Sequence, residues 1–174
     1  MGCDIHFHIE HKKNGKWTKV INPKADESLE YPDYEPSWGL DRDYEMFALL
    51  AGVRGELRYD DDDEPYQIGF PWYAFPDDLS DEVKADLSDE GHYHSHTCIT
   101  LPEFLAFDWD MPWKGEVDRR KQTRCKECKS LYYVVDKSIY TFAHRFDDLM
   151  KVIEKMKGLD DNPENVRAVF AFDS

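Results

Sequence analysis

The sequence predicts an α+β fold for one domain over residues 1–174: an antiparallel sheet that includes an N-terminal hairpin and the C-terminal strand, helices mainly on one face, and long ordered loops. Three observations carry this. Cys3 to Glu10 alternates apolar and polar residues almost strictly and runs on to a Lys13-Asn14-Gly15 turn. Phe142, Phe146, Leu149, Ile153 and Met156 recur at helical spacing. Val166 to Phe172 is a short apolar run that reads as a buried closing strand.

The elements follow in order. In the first strand Cys3, Ile5, Phe7 and Ile9 share one face, and Asp4, His6, His8 and Glu10 share the other. Lys16 to Ile21 returns, with Trp17 as an anchor. Residues 22–41 read as a loop. Asp43 to Arg54 predicts a short helix stopped by Gly55. Residues 56–78 read as irregular, with Asp60 to Glu64 an exposed tip and Phe70 to Pro76 a packed aromatic loop. Ser80 caps a helix through Leu87, with Asp81 and Glu82 suited to its positive end. Thr100-Leu101-Pro102-Glu103 has capping-box spacing and opens a helix to about Phe107. Residues 114–130 read as a basic hairpin insert before a strand, Leu131 to Val135. The longest helix is expected from Tyr140 to Lys157, ended by Gly158.

Composition narrows the function. With 22 Lys and Arg against 37 Asp and Glu, the formal charge is −15. Such a field repels duplex DNA, so a conventional DNA reader is not expected. A local basic patch or a metal still allows a small anionic ligand. Six of the basic residues lie in 119–129 against one acid, so that segment is +5 and the rest of the chain −20. It either grips a phosphate-bearing ligand or pairs with acidic loops of the same molecule. No run reaches the length of a membrane span, no export signal is visible, and the expected compartment is the cytoplasm.

Three motifs have the residue types for chemistry. Asp4-x-His6-x-His8 places a carboxylate and two imidazoles on one strand face, a donor set for a divalent metal such as Zn or Mn. The alternative is the wet face of a half-buried strand. His92-Tyr93-His94-Ser95-His96 sets three imidazoles on one side of an extended chain. If His94 or His96 meets Asp4 and His6, the result is a three-ligand site with an open position for an activated water. Glu10, Asp108 and Asp110 are the candidate general bases. Cys125-x-x-Cys128 is half of a structural zinc site, or an unliganded thiol pair.

Met1-Gly2-Cys3-Asp4-Ile5-His6, taken whole, resembles the start of a family of uncharacterised phage and bacterial proteins. The likeness continues at Asp41-Arg42-Asp43-Tyr44, Phe47 to Arg54, Pro76 to Ser80, His94-Ser95-His96-Thr97, Thr100 to Phe104 and Val169 to Asp173. It names no activity. It implies that Asp4, His6, Arg42, Tyr44, Arg54, His94 and Ser95 belong to one polar constellation. In the phosphodiesterase expectation below, Arg42 or Arg54 is the phosphate-binding group. A phage origin would imply the host cytoplasm and a host protein as partner.

The leading expectation is a metal-dependent hydrolase, a phosphodiesterase acting on a nucleotide-like ligand. Asp4, His6 and His94 hold the metal, with His8 and His96 as second choices. The alternatives are a nucleotide sponge without turnover and an acidic protein that mimics nucleic acid.

Overall fold

The computed structural model describes residues 2–22, 38–40, 42–55, 57–59, 66–71, 74–88, 92–113, 120–124, 131–135 and 141–173. Most of the 22–41 loop, the Asp60–Glu64 tip and the Cys125/Cys128 pair lie outside them. The fold is α+β. A four-stranded antiparallel sheet runs in the order β2-β1-β8-β5, from Lys16–Lys19 (β2), Ile5–Lys13 (β1), Val166–Asp173 (β8) and Tyr93–Thr100 (β5). Two smaller sheets pair Leu57–Tyr59 (β3) with Tyr66–Ile68 (β4), and Arg120–Arg124 (β6) with Leu131–Val135 (β7). The chain divides into two compact units, residues 1–107 with 148–174, and residues 108–147. The second unit is wider than the insert expected at 114–130 and contains β6 and β7. Among the described residues no helix is long and apolar enough to cross a membrane.

The β1–β2 hairpin closes through Asn14 (φ 51°) and Gly15 (φ 79°), both left-handed, with Lys13 opposite Lys16. Two such residues make the turn whose twist matches that of the strands. Tyr44–Ala51 (α1) is capped by the Asp43 carboxylate, which accepts from the Glu45 and Met46 N–H groups. It ends at Gly52, φ 64°, rather than at Gly55. Asp81–Leu87 (α2) is capped by Ser80, and Leu101–Ala106 (α3) carries the Thr100/Glu103 capping box.

The long C-terminal helix is two pieces, Phe142–Arg145 (α4) and Asp147–Lys157 (α5), parted at Phe146. The apolar spacing runs straight through the break, so periodicity does not reveal it. Phe142 and Phe146 both pack edge-on against Trp113, and acidic Asp147 and Asp148 suit the new helix start. The final strand, preceded by a 3-10 turn at Pro163–Asn165, falls where the sequence places it.

Both faces of the main sheet are covered. On the first, Phe7 stacks on Phe170 (5.4 Å between centroids) and Phe47 of α1 meets Phe172 edge-on (5.0 Å). Each such buried ring contributes roughly 1.5–3 kcal/mol. On the second face, Val83 and Leu87 of α2 pack on Val169 and Ala171, with Phe75, Leu79, Tyr93 and Cys98 around them. The polar side of β1 is therefore wet only at its Asp4 and His6 end. His8 and Glu10 are buried beneath this second layer.

Candidate functional site at the open end of the sheet

Antiparallel register sets Ile5 against Phe172, so the next residues outward, Asp4 and Asp173, come together, and Tyr93 pairs with Asp173 on the other side. One Asp173 carboxylate oxygen accepts the Asp4 N–H (2.6 Å), and the other lies 3.2 Å from His6 Nε2. A carboxylate can only accept, so the proton of this bond sits on Nε2, which in the neutral ring leaves the lone pair on Nδ1. Tyr93 meets the His6 ring edge-to-face at 4.8 Å. His6 and Asp173 are 32% and 36% exposed, open enough for a ligand to reach.

Arg42 completes the rim. Its Nε and one Nη donate to the two oxygens of Asp4 at 2.7 and 2.6 Å. The pair is exposed, at 48% and 43%. Arg42's hydrogen bonds hold the Asp4 carboxyl below the usual carboxylate range, against a smaller opposing push from burial. The fork spends two of the five guanidinium N–H donors on Asp4 and leaves three. Gly2 makes room for it: a Cβ there would lie 2.6 Å from the guanidinium carbon. The opening string therefore has a physical reading. Gly2 admits Arg42, Asp4 aims it, and His6 takes Asp173, while Cys3 and Ile5 enter the core.

Arg54, left-handed at φ 62°, hydrogen-bonds the Cys3 thiol and lowers its pKa, but burial dominates and the net shift is upward. Burial likewise pushes Cys98 up to about 11. Neither environment favours a thiolate. Tyr44 is exposed at the start of α1, two residues from Arg42, and packs edge-on against Phe47.

The other expected ligands go elsewhere. His94 pairs with Phe172 and stacks on its ring, which puts it on the first face, opposite to His6. Between His94 and Thr97 strand β5 bulges, so two residues, Ser95 and His96, face the single Ala171. The bulge turns His96 to the second face, where it meets Phe75 edge-on at 4.4 Å. The histidines therefore do not share one side. His8 is buried against α2, its Nδ1 4.0 Å from an Asp86 oxygen. The described residues contain no group of three or more His, Cys, Asp or Glu placed to hold a metal ion.

Glu10, expected as a base, is fully committed. One oxygen accepts from the Ser80 N–H (2.7 Å) and the other from Arg167 Nε (2.7 Å), at 0% and 5% side-chain exposure for Glu10 and Arg167. Asp108 and Asp110 form an exposed turn in the second compact unit, where the Asp110 N–H donates to Asp108.

Sequence reasoning missed Asp173 as a site residue. Its signal was available in outline, because a closing strand antiparallel to β1 must set its last residue opposite Asp4. No protein-family model, curated protein or solved structure matches this chain.

Proposed function

We propose that the open end of the sheet is a hydrolytic site for a phosphate ester of a nucleotide-like ligand. The observation that supports it is the His6–Asp173 hydrogen bond at an accessible rim, beside an arginine fork. Asp173 orients the imidazole, so His6 Nδ1 can take a proton from an attacking water. The remaining donors of Arg42 suit a phosphate oxygen. Asp4 acts here as the residue that aims Arg42. A metal-assisted form of the reaction requires Arg42 to release Asp4, and a partner for His6 other than His94.

The test is turnover of bis(p-nitrophenyl) phosphate by the full chain, with elemental analysis of the purified protein and assays with and without added Zn or Mn. Turnover that survives chelation and is lost in His6→Gln supports proton transfer by His6. Turnover that depends on a stoichiometric metal selects the metal-assisted form. Release of an intact nucleotide on denaturation, with no turnover, would replace both with a binding protein.

A further inference from the structure

Strand β5 holds a second pair of groups that the reading above leaves unused. Ser95 Oγ and His94 Nδ1 are 3.0 Å apart, both half-buried. Ser95 sits at φ 53°, the left-handed position of a β-bulge that glycine normally fills. A serine there pays a backbone cost of roughly 1–2 kcal/mol. Such outliers persist only where surrounding contacts hold them, and they concentrate at functional positions. The contacts are present. The Thr97 hydroxyl donates to the Ser95 carbonyl (2.9 Å), and the His94 ring lies over Phe172 at 6.2 Å and 25°. Phe172 is itself locked between Phe47 and Phe170. The base is thus oriented by aromatic packing, and the nucleophile is held by a strained turn on an edge strand.

We propose that Ser95 is a catalytic nucleophile, with His94 as its general base, for a phosphorus ester. The choice of phosphorus as the electrophile rests on the hydrolytic reading above; the pairing of Ser95 with His94 does not. In the step, Ser95 Oγ bonds to phosphorus while its proton passes to His94 Nδ1. The P–O bond to the leaving alcohol breaks, and that alkoxide takes the proton from His94. Water then displaces the serine oxygen in the same manner and regenerates the hydroxyl.

A fluorophosphonate probe tests this without knowledge of the natural substrate. Attack by Ser95 breaks the P–F bond, releases fluoride and leaves a stable phosphonate on Oγ. Peptide mass spectrometry of the labelled full chain is expected to place the adduct on Ser95. His94→Gln should slow labelling by about 10²-fold or more, the range of general-base contributions. Ser95→Gly should abolish labelling yet fold normally, because glycine accepts the left-handed backbone. No adduct on Ser95 in the folded wild type would overturn the assignment, as would equal labelling of Ser95→Gly. An adduct without bis(p-nitrophenyl) phosphate turnover keeps Ser95 and counts against the rim as a phosphodiesterase. Turnover without an adduct does the reverse.

Discussion

An arginine meets a carboxylate twice along the sheet, where Arg167 of β8 donates to Glu10 of β1 and where Arg42 donates to Asp4 just beyond the open end, and the two joints differ in almost everything but chemistry. At the inner joint Arg167 donates to Glu10, to the Asp78 carboxylate (2.8 Å) and to the Asp78 carbonyl (3.0 Å). Its guanidinium also lies 3.9 Å from the centre of the Trp17 ring, whose N–H donates to Asp78. Every strong group there has a partner within the protein, and α2 covers it. At the outer end Arg42 grips Asp4, and Asp173 grips His6, in the open. The inner joint ties β2, the loop before α2 and the sheet together. The outer one is open to solvent. Burial, not residue type, separates the structural ion pair from the candidate functional one.

That contrast can be broken by substitution. Glu10→Ala or Arg167→Ala strands a buried charge, and should cost roughly 3–5 kcal/mol in urea denaturation. A loss near that of an exposed pair would dissolve the distinction. Arg42→Ala should leave the melting temperature close to wild type, because exposed ion pairs contribute little. The same variant should remove most phosphate-ester turnover or nucleotide binding. A large fall in melting temperature without a functional change would make the rim a structural tie.

Acid sharpens the comparison further. Asp78 is held below the usual carboxylate range first by its hydrogen bond from Arg167, Asp4 by Arg42, and Asp160 by His11 at 2.8 Å. Each contributes stability that is present above the unfolded value of about 3.9 and lost as pH falls through the lower folded value. Denaturation midpoints should therefore fall as pH drops below about 4, and Asp160→Asn should flatten that fall. An unchanged profile in the variant would detach His11–Asp160 from the account. The smallest effect is expected from Ser95→Gly, with stability unchanged or raised by less than about 1 kcal/mol; a marked loss would mean that the serine side chain itself holds the bulge.

Legibility in the sequence follows the same division between near and far. The Asn14-Gly15 turn, the Ser80 cap and the Thr100/Glu103 box depend on residues within four positions of each other, and all three stand where the sequence predicts. His6 depends on Asp173, 167 residues away, and Glu10 on Arg167, 157 away, so neither the dyad nor the buried pair was readable locally. Strand β5 was hidden because His, Ser and Thr mask its alternation. The single-residue bulge inside it then reversed the face of His94 relative to His96 and undid the expected histidine triad. The Phe146 break was hidden for the opposite reason, since the apolar stripe continues across it.

We propose that His6, oriented by Asp173, carries out proton transfer at the open end of the sheet. Its most direct test compares bis(p-nitrophenyl) phosphate turnover by wild type, His6→Gln and Asp173→Asn, all shown to be folded by circular dichroism. Wild type should show measurable turnover, and His6→Gln a loss of about 10²–10⁴-fold, the span of general acid–base contributions. Wild-type rates in both variants, or no turnover by the wild type on this ester and on nucleotide esters alike, would contradict it.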